Sequence, residues 1–479
     1  MSSIKKNLAY QTAYQILIVI MPFITSPYLS RILGAKGLGE YSYAYTIAYY
    51  FSLFILLGIN NHGTREIAKV KDDIDKRSEV FASLYAIQVL MGILVISAYS
   101  ITQIIIPKDN HLAKIQLLYV ASAFLDINWF FFGLEKFKVT VTRNFIIKFL
   151  TVASIFLFVK TSDDVALYSI IMASGFLISQ IALWPFAIKE LKRIHVNWHM
   201  VKMNIKPMLV LFIPVVAASV FMYMDKIMLG VMCDKTELGY YDNAEKIMAI
   251  PTALITSVGT VMLPRVTNMM KDRNNDQAIN KLFSISLIGS MVAASALSFG
   301  LAAVGPTFAP WFWGDEFVRS GKLIRVISMS TLFLSWASVI RTQFLIPKGM
   351  DTVFVRATVY GAILNFIINY TLIRPLGAMG TVIGTVVAQF ILAFYQTIKC
   401  KGLIPIRKYI IECVPFIIIG AIMYMCVYYI SKLPIKGLIQ VVIEILFGGV
   451  VFVTLTVIYF RWIKKISFNE MIRIVRGIR

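Results

Sequence analysis

The chain has 479 residues, of which 58% are hydrophobic and 15% are charged. Soluble globular proteins are about 45–50% apolar and about 25% charged, so the composition excludes that class, together with disordered, collagen-like and disulfide-rich chains. At roughly 20 apolar residues per membrane-spanning helix, the hydrophobic residues are enough for roughly a dozen or more spans. The composition therefore predicts a polytopic membrane protein.

Apolar segments separated by short polar intervals follow one another along the whole chain. Their lengths are typical of membrane-spanning helices, and no G-x-x-x-x-G-K-[S/T] nucleotide-binding motif occurs between them. The predicted spans are residues 8–31, 41–62, 80–106, 113–134, 140–159, 165–187, 207–232, 238–262, 282–305, 322–346, 352–373, 377–398, 409–430 and 437–460. The fold class predicted is an all-α polytopic membrane protein with about 14 transmembrane helices.

The net charge of +22 would suggest nucleic acid in a soluble protein, but here its distribution follows the spans. With the N-terminus inside the cell, the intervals predicted to be cytoplasmic carry nearly three times as many Lys and Arg residues as the outer ones. That asymmetry predicts cytoplasmic N- and C-termini and contact with anionic membrane lipids. No single basic face remains for nucleic acid.

A weak internal repeat appears at an offset of about 200 residues. Arg31-Ile-Leu-Gly34 followed by Leu38-Gly39 in the first copy matches Lys226-Ile-Met-Leu-Gly230 followed by Leu238-Gly239 in the second. Both copies start after an even number of spans, which predicts two parallel six-helix lobes in a pseudo-repeat. The predicted domains are residues 1–200 (spans 1–6), 201–400 (spans 7–12), and 401–479 (spans 13 and 14 with a basic cytoplasmic tail).

Ionisable residues inside the spans carry the main functional signal, because a charge at the centre of a membrane helix costs about 2.5–3.5 kcal/mol on insertion scales. The basic candidates for a substrate cavity are Lys148, Lys226, Lys246 and Arg341. The acidic candidates for binding a coupling ion are Asp126 and Asp225. Arg143, close to a span end, is expected to reach the lipid headgroups.

Simpler structural roles compete with several of these assignments. Asp242 and Lys246 are four residues apart, so they are spaced to neutralise each other on one helix face. His195 and His199 have a metal-compatible helical spacing without a third ligand, so no metal site is predicted. No catalytic arrangement of Ser, His, Asp or Cys residues stands out, and we expect no enzyme activity.

The first seventy residues resemble a known family. The opening segment, with Pro22-Phe-Ile-Thr-Ser-Pro27, Arg31-Ile-Leu-Gly34 and Gly37-Leu-Gly39-Glu-Tyr, is similar to the start of bacterial polysaccharide repeat-unit flippases. The continuation Gly58-Ile-Asn-Asn-His-Gly63-Thr-Arg65 is similar as well. These proteins belong to the multidrug/oligosaccharidyl-lipid/polysaccharide exporter superfamily. Arg31, Gly34, Gly39 and Arg65 are the family-motif positions.

The resemblance implies export of an undecaprenyl-diphosphate-linked oligosaccharide across the bacterial inner membrane by alternating access between two lobes. Because one-way transport needs a driving gradient and no nucleotide-binding motif is present, we expect coupling to protons or sodium. We also expect a monomer without a cofactor, with polysaccharide polymerase and glycosyltransferases as partners in O-antigen, capsule or exopolysaccharide synthesis. Lipid II flippases share the architecture, but they usually carry arginines within the first span, which has none here before Arg31. A drug/cation antiporter of the same superfamily and a non-transporting membrane scaffold are the remaining alternatives.

Overall fold

The computed structural model describes residues 2–105, 111–192, 195–269 and 276–463. Side chains are described from residue 20 onward, except at positions 221, 258, 260, 261, 265, 276–278 and 463. Most of the basic tail predicted from the sequence, residues 464–479, lies outside the described residues. Within them the regular structure is helical, apart from an isolated bridge between Lys401 and Ile404. The predicted all-α fold class is confirmed.

The helices follow the predicted spans along the whole chain. They are α1 Ser2–Leu56, α2 Ile59–Lys69, α3 Ile74–Ile105, α4 His111–Ile115, α5 Leu117–Phe124, α6 Asn128–Gly133, α7 Phe137–Phe158, α8 Val165–Ile181, α9 Trp184–Glu190, α10 Trp198–Met232, α11 Lys235–Met269, α12 Asp276–Trp313, α13 Val318–Ile327, α14 Ser330–Ile340, α15 Asp351–Leu376, α16 Ala378–Lys399, α17 Ile406–Ile430 and α18 Leu438–Ile458. Arg341–Leu345 and Tyr459–Ile463 continue α14 and α18 as π-helix.

Thirteen segments of the described chain are long and apolar enough to cross a membrane. The first of them, Ile20–Lys69, is 50 residues long and includes the second half of the first predicted span and all of the second. The helix is interrupted there at Gly34, where φ is 66° and ψ is 179°. A positive φ favours glycine because it has no side chain. The break therefore divides α1 into two apolar arms, each long enough for a span.

Predicted span 4 is continuous in the sequence pattern but interrupted in the structure. Span 4 is broken between α5 and α6, where Leu125 to Ile127 leave the helix. The side-chain amide of Gln88 donates to the backbone oxygens of Ala123 (2.7 Å) and Asp126 (2.9 Å), which are freed by the break. Satisfied backbone groups are what permit a broken helix at membrane depth.

The chain forms two compact units, Met1–Gly239 and Tyr240–Arg479. In the first, the α2 and α6 helices pack so closely that Gly63 lies under the ring of Trp129, where a Cβ atom would come within 2.6 Å of it. The hydroxyl of Thr64 lies 3.3 Å from the Trp129 carbonyl oxygen, which it can reach as a donor. The first unit includes α10, the opening helix of the second predicted lobe. The lobe boundary at residue 200 stays a prediction.

The second unit has its own apolar core. Phe283, Leu287 and Met291 on α12 are buried together with Val339 and Ile340 of α14. A second cluster joins α12 to the last two spans, with Phe416, Met423 and Phe452 at its centre. The apolar faces of α12 are thus covered by other helices of the same unit.

Polar loops at one end of the first unit are tied together through Glu190. The Arg77 guanidinium donates to the Glu190 backbone oxygen at 2.5 Å, and the Lys136 ammonium bonds the Glu190 carboxylate. In the loop before α3, the Asp73 carboxylate accepts the backbone N–H groups of Lys76 and Asp75, which lowers the pKa of Asp73. These loops belong to the intervals predicted to be cytoplasmic.

Candidate functional site

Lys148 lies near the middle of α7. The helix has 22 residues, so its length of about 33 Å matches an apolar core of about 30 Å. The side chain is half-buried and makes no hydrogen bond or ion pair within the described part of the chain. A cation at this depth without an acidic partner is available to an anionic ligand.

Lys226 and Asp225 occupy adjacent positions on α10. Asp225 is buried and Lys226 is half-buried, and both have interaction partners. The Lys226 ammonium lies 5.8 Å from the centroid of the Tyr223 ring, which in turn lies 4.5 Å from the ring of Tyr49. The structure thus places the predicted cation beside an aromatic surface that the sequence reasoning did not identify.

Lys246 is the predicted cation with a direct acidic partner. Its ammonium lies 2.7 Å from the Asp242 carboxylate and 3.1 Å from the side-chain oxygen of Asn243. The helical spacing of four residues suggested this pair, and the structure forms it. The charge of Lys246 is therefore partly compensated before any ligand is bound.

Arg341 begins the π-helical segment after α14. Its buried Nε has no hydrogen-bond partner among the described residues, and its guanidinium lies 5.0 Å from the centroid of the Phe354 ring. Single turns of π-helix inside α-helices occur frequently at functional sites. Gln343 in the same turn is 1% exposed, and neither side-chain polar atom has a partner there. Buried polar groups without a partner are rare in native proteins, which makes this turn a candidate site for a polar ligand.

Asp126 belongs to a partly buried hydrogen-bond network rather than lying alone. Its carboxylate accepts the backbone N–H of Asn128 at 2.9 Å and the Asn128 side-chain amide at 2.7 Å. The Arg143 guanidinium donates to the Asn128 side-chain oxygen (2.9 Å) and to the backbone oxygen of Ser179 (2.6 Å). Arg143 is 7% exposed, so the expectation that it reaches the headgroups is wrong: buried acceptors on neighbouring helices hold it inside.

The family-motif positions divide into two kinds. Arg31 and Arg65 are exposed, whereas Gly34 and Gly39 have backbone roles. Gly34 provides the break in α1, and Gly39 is buried where α1 crosses the start of α11. A Cβ atom on Gly39 would lie 1.7 Å from the backbone oxygen of Lys235, so only glycine fits.

Glu444 is an ionisable residue that the sequence reasoning missed. It is completely buried in α18, and its carboxyl group lies 2.5 Å from the hydroxyl of Thr307 on α12. The sequence did contain a signal for Glu444, because it is an acidic residue inside the last predicted span, 437–460. Within the described residues, no group of three or more His, Cys, Asp or Glu side chains could hold a metal ion.

Comparison with known proteins identifies the class and then the family. The fold resembles that of a solved lipid II flippase, MurJ, in an inward closed conformation, with a TM-score of 0.76 over 95% of this chain and 99% of the other at 15% identity. The chain is thus a multi-pass membrane protein that shares the fold of that structure. A family model described as "Polysaccharide biosynthesis protein" matches residues 4–270, and the chain belongs to that family.

Two curated relatives support the same assignment. A protein of Escherichia coli (strain K12) named for O-antigen transport is 24% identical over 83% of this chain and 98% of its own length. A second, from Shigella dysenteriae and of the same name, is 22% identical over 79% of this chain and 95% of its own length. The relatives are named for transport rather than for catalysis. The family resemblance inferred from the first seventy residues is confirmed.

Proposed function

We propose that this protein moves undecaprenyl-diphosphate-linked oligosaccharide repeat units from the cytoplasmic to the outer leaflet of the bacterial inner membrane. The observation that carries the proposal is Lys148, a mid-span cation without an acidic partner among the described residues, in a member of the polysaccharide biosynthesis family. The repeat units would serve cell-surface polysaccharide synthesis.

The chemistry of such a cargo explains why cations are needed inside the membrane. A diphosphate carries negative charge into a region of low dielectric constant, where its loss of hydration is costly unless fixed cations replace the water. In the first unit the candidate ligands for the diphosphate are Lys148 and Lys226, and in the second unit they are Lys246 and Arg341. The prenyl chain of the cargo remains in the surrounding lipid.

Alternating access is part of the proposal and is supported by the crossing of α1 and α11. With cytoplasmic termini, the Gly34 break would lie toward the outer surface, because α1 crosses the membrane once before reaching it. The backbone contact five residues later, between Gly39 and Lys235, would then hold α1 against the start of α11 on that side of the first unit.

Orientation and partners complete the proposal. Cytoplasmic termini and a cytoplasmic 188–206 loop follow from the distribution of basic residues, and a cysteine replacing the exposed His199 on a cysteine-free background tests them. If an impermeant reagent labelled that cysteine in intact cells, the loop would face outward and the predicted orientation would be wrong. We further propose a monomer that needs no cofactor and works with a polysaccharide polymerase and glycosyltransferases.

The proposed activity is tested in cells by deleting the gene and following the lipid-linked repeat unit. The expected result is loss of surface polysaccharide, with the repeat unit retained in the inner leaflet and protected from impermeant oxidants in spheroplasts. Restored export by the full-length chain completes the test. Normal surface polysaccharide in the deletion strain, together with lost drug efflux or lost lipid II flipping, would favour an alternative of the same superfamily.

A further inference from the structure

Five tyrosines occur within ten residues of the second arm of α1: Tyr41, Tyr43, Tyr45, Tyr49 and Tyr50. Tyr41, Tyr45 and Tyr49 are spaced four residues apart, so they share one side of the helix. Their ring centroids are 6.0 Å apart for the first pair and 6.4 Å apart for the second. These three residues, called here the tyrosine face, extend over about 12 Å of helix.

Each ring of the tyrosine face meets a tyrosine from a different helix of the same unit. Tyr41 lies 4.6 Å from Tyr168 on α8, and Tyr45 lies 4.9 Å from Tyr119 on α5. Tyr49 lies 4.5 Å from Tyr223 on α10. All three residues are half-buried, and the Tyr45 hydroxyl is hydrogen-bonded to that of Tyr119.

An aromatic belt at the membrane surface does not explain this arrangement. Interfacial tyrosines lie at headgroup level. Tyr45 and Tyr49 instead lie about 6 Å and 12 Å further along the helix than Tyr41, and their rings contact other helices. Phenylalanine, which outnumbers tyrosine 33 to 23 in the chain, would pack there without a hydroxyl group to satisfy.

The internal repeat shows that the helix does not require the rings of Tyr45 and Tyr49, whereas Tyr41 has a counterpart in Tyr241. Gly39 and Gly239 make reciprocal backbone contacts, with Lys235 and Ala35 respectively, which fixes the register of the two copies at 200 residues. In that register Tyr45 corresponds to Glu245 and Tyr49 to Ala249. The matching helix of the second copy thus forms without aromatic residues at these positions.

Half-buried tyrosine rings provide the chemistry that a sugar ring needs. The ring face is electron-rich and attracts the polarised C–H bonds on one side of a pyranose, while the phenol hydroxyl exchanges hydrogen bonds with sugar hydroxyls. Lys226 beside Tyr223 adds a cation at the Tyr49 end. A glycan on this surface would therefore have its diphosphate-bearing end near Tyr49 and its distal sugars toward Tyr41.

We infer that the tyrosine face is the glycan-binding surface of the protein, taking the sugars of a lipid-diphosphate-linked oligosaccharide. The inference rests on the proposed function and names the part of the site that recognises the sugar. It predicts that the affinity gained from these rings grows with the number of sugars on the lipid.

The experiment compares two probes in proteoliposomes containing the full-length protein: undecaprenyl diphosphate bearing a single N-acetylglucosamine, and the complete lipid-linked repeat unit extracted from the source strain. Tyr49→Leu should lower the flipping rate of the complete unit about tenfold at limiting concentration and change that of the single-sugar lipid less than twofold. Tyr49→Phe, which keeps the ring, should retain most of the rate. The control Tyr429→Leu removes a tyrosine that is 68% exposed on α17 and should change neither rate.

Three results would overturn the inference while leaving the proposed function intact. If Tyr49→Leu flips both probes at the parental rate, the ring is not part of the site. Equal losses for both probes mean that the ring packs against the helix bundle or the prenyl chain. If Tyr49→Leu fails to fold, the Tyr49→Trp variant is used instead and its tryptophan fluorescence is measured. A fluorescence that does not change when the complete unit is added would contradict sugar contact at this position. If the parental protein flips neither probe, the proposed function itself fails.

Discussion

Gly39 and Lys235 lie so close together that a Cβ atom on Gly39 would be 1.7 Å from the backbone oxygen of Lys235. The contact is reciprocated, because a Cβ atom on Gly239 would be 1.9 Å from the backbone oxygen of Ala35. Gly39 and Gly239 are 200 residues apart in the sequence, and so are Ala35 and Lys235. This symmetric crossing is what two related copies of one helix arrangement would produce.

The crossing predicts that Gly39→Ala destabilises the protein. The added methyl group meets backbone atoms, which cannot rotate away, so we expect a loss of about 1–3 kcal/mol or more and a lower midpoint of thermal unfolding in detergent. The matched control is Gly289→Ala, also inside a helix, where nothing lies within 4 Å of the new Cβ atom. Equal unfolding midpoints for the two variants would contradict the close contact.

The Arg143 network predicts a large structural effect from a residue near a span end. Arg143→Met leaves the buried oxygens of Ser179 and Asn128 without their donor, which should cost about 3 kcal/mol or more. Lys138→Met changes an exposed residue of the same helix and should have little effect. Chemical or thermal unfolding of the purified variants measures the difference, and a fully stable Arg143→Met protein would show that the network contributes little.

Much of the fold follows from the sequence pattern, because burial in lipid demands long apolar helices. Most residues of each predicted span are helical, and the break between the first two spans falls at Gly34, a residue type that already signals a break. The break after Leu125 was not predictable in this way. The segment contains no proline or glycine at Leu125 to Ile127, and its freed backbone oxygens are satisfied by Gln88 from a distant part of the chain.

The candidate site was predictable only in part, for a similar reason. Depth within a span identified Lys148, and helical spacing identified the Asp242–Lys246 pair. Tyrosines 41, 45 and 49 looked like ordinary aromatic content, because their partners Tyr119, Tyr168 and Tyr223 come from three other helices. Composition does not reveal contacts between residues so far apart in sequence.

Lys148 is predicted to contact the diphosphate. Lys148→Ala should abolish export with near-normal membrane expression, and Lys148→Arg should retain part of the activity because the charge survives while the geometry changes. Lys114→Ala, at an exposed position of the same unit, is the matched control and should export normally. Surface polysaccharide in the complemented deletion strain is the readout. Full export by Lys148→Ala would show that Lys148 is not part of the site. Loss of expression of the Lys148→Ala protein would indicate a structural role.

Coupling to a proton or sodium gradient is predicted to depend on Asp225, which is buried in α10. Asp225→Asn resembles the protonated acid in shape but cannot release a proton, so its transport should no longer respond to an imposed gradient. Asp126, held by Asn128, is the second candidate and is tested in the same way. Asp163→Asn changes an exposed acid and should leave the response intact. A normal gradient response in well-folded Asp225→Asn would exclude a coupling role for that residue.

Reconstituted flipping of a lipid-linked repeat unit tests the central claim most directly. The purified full-length chain is placed in vesicles containing the undecaprenyl-diphosphate-linked oligosaccharide, and the fraction reached by an impermeant glycosidase is followed over time. We predict that this fraction rises beyond its starting level faster than in protein-free vesicles, and that Lys148→Ala slows it to the protein-free rate. The proposed function would be contradicted if the folded parental protein left the glycolipid distributed as in protein-free vesicles under every imposed gradient.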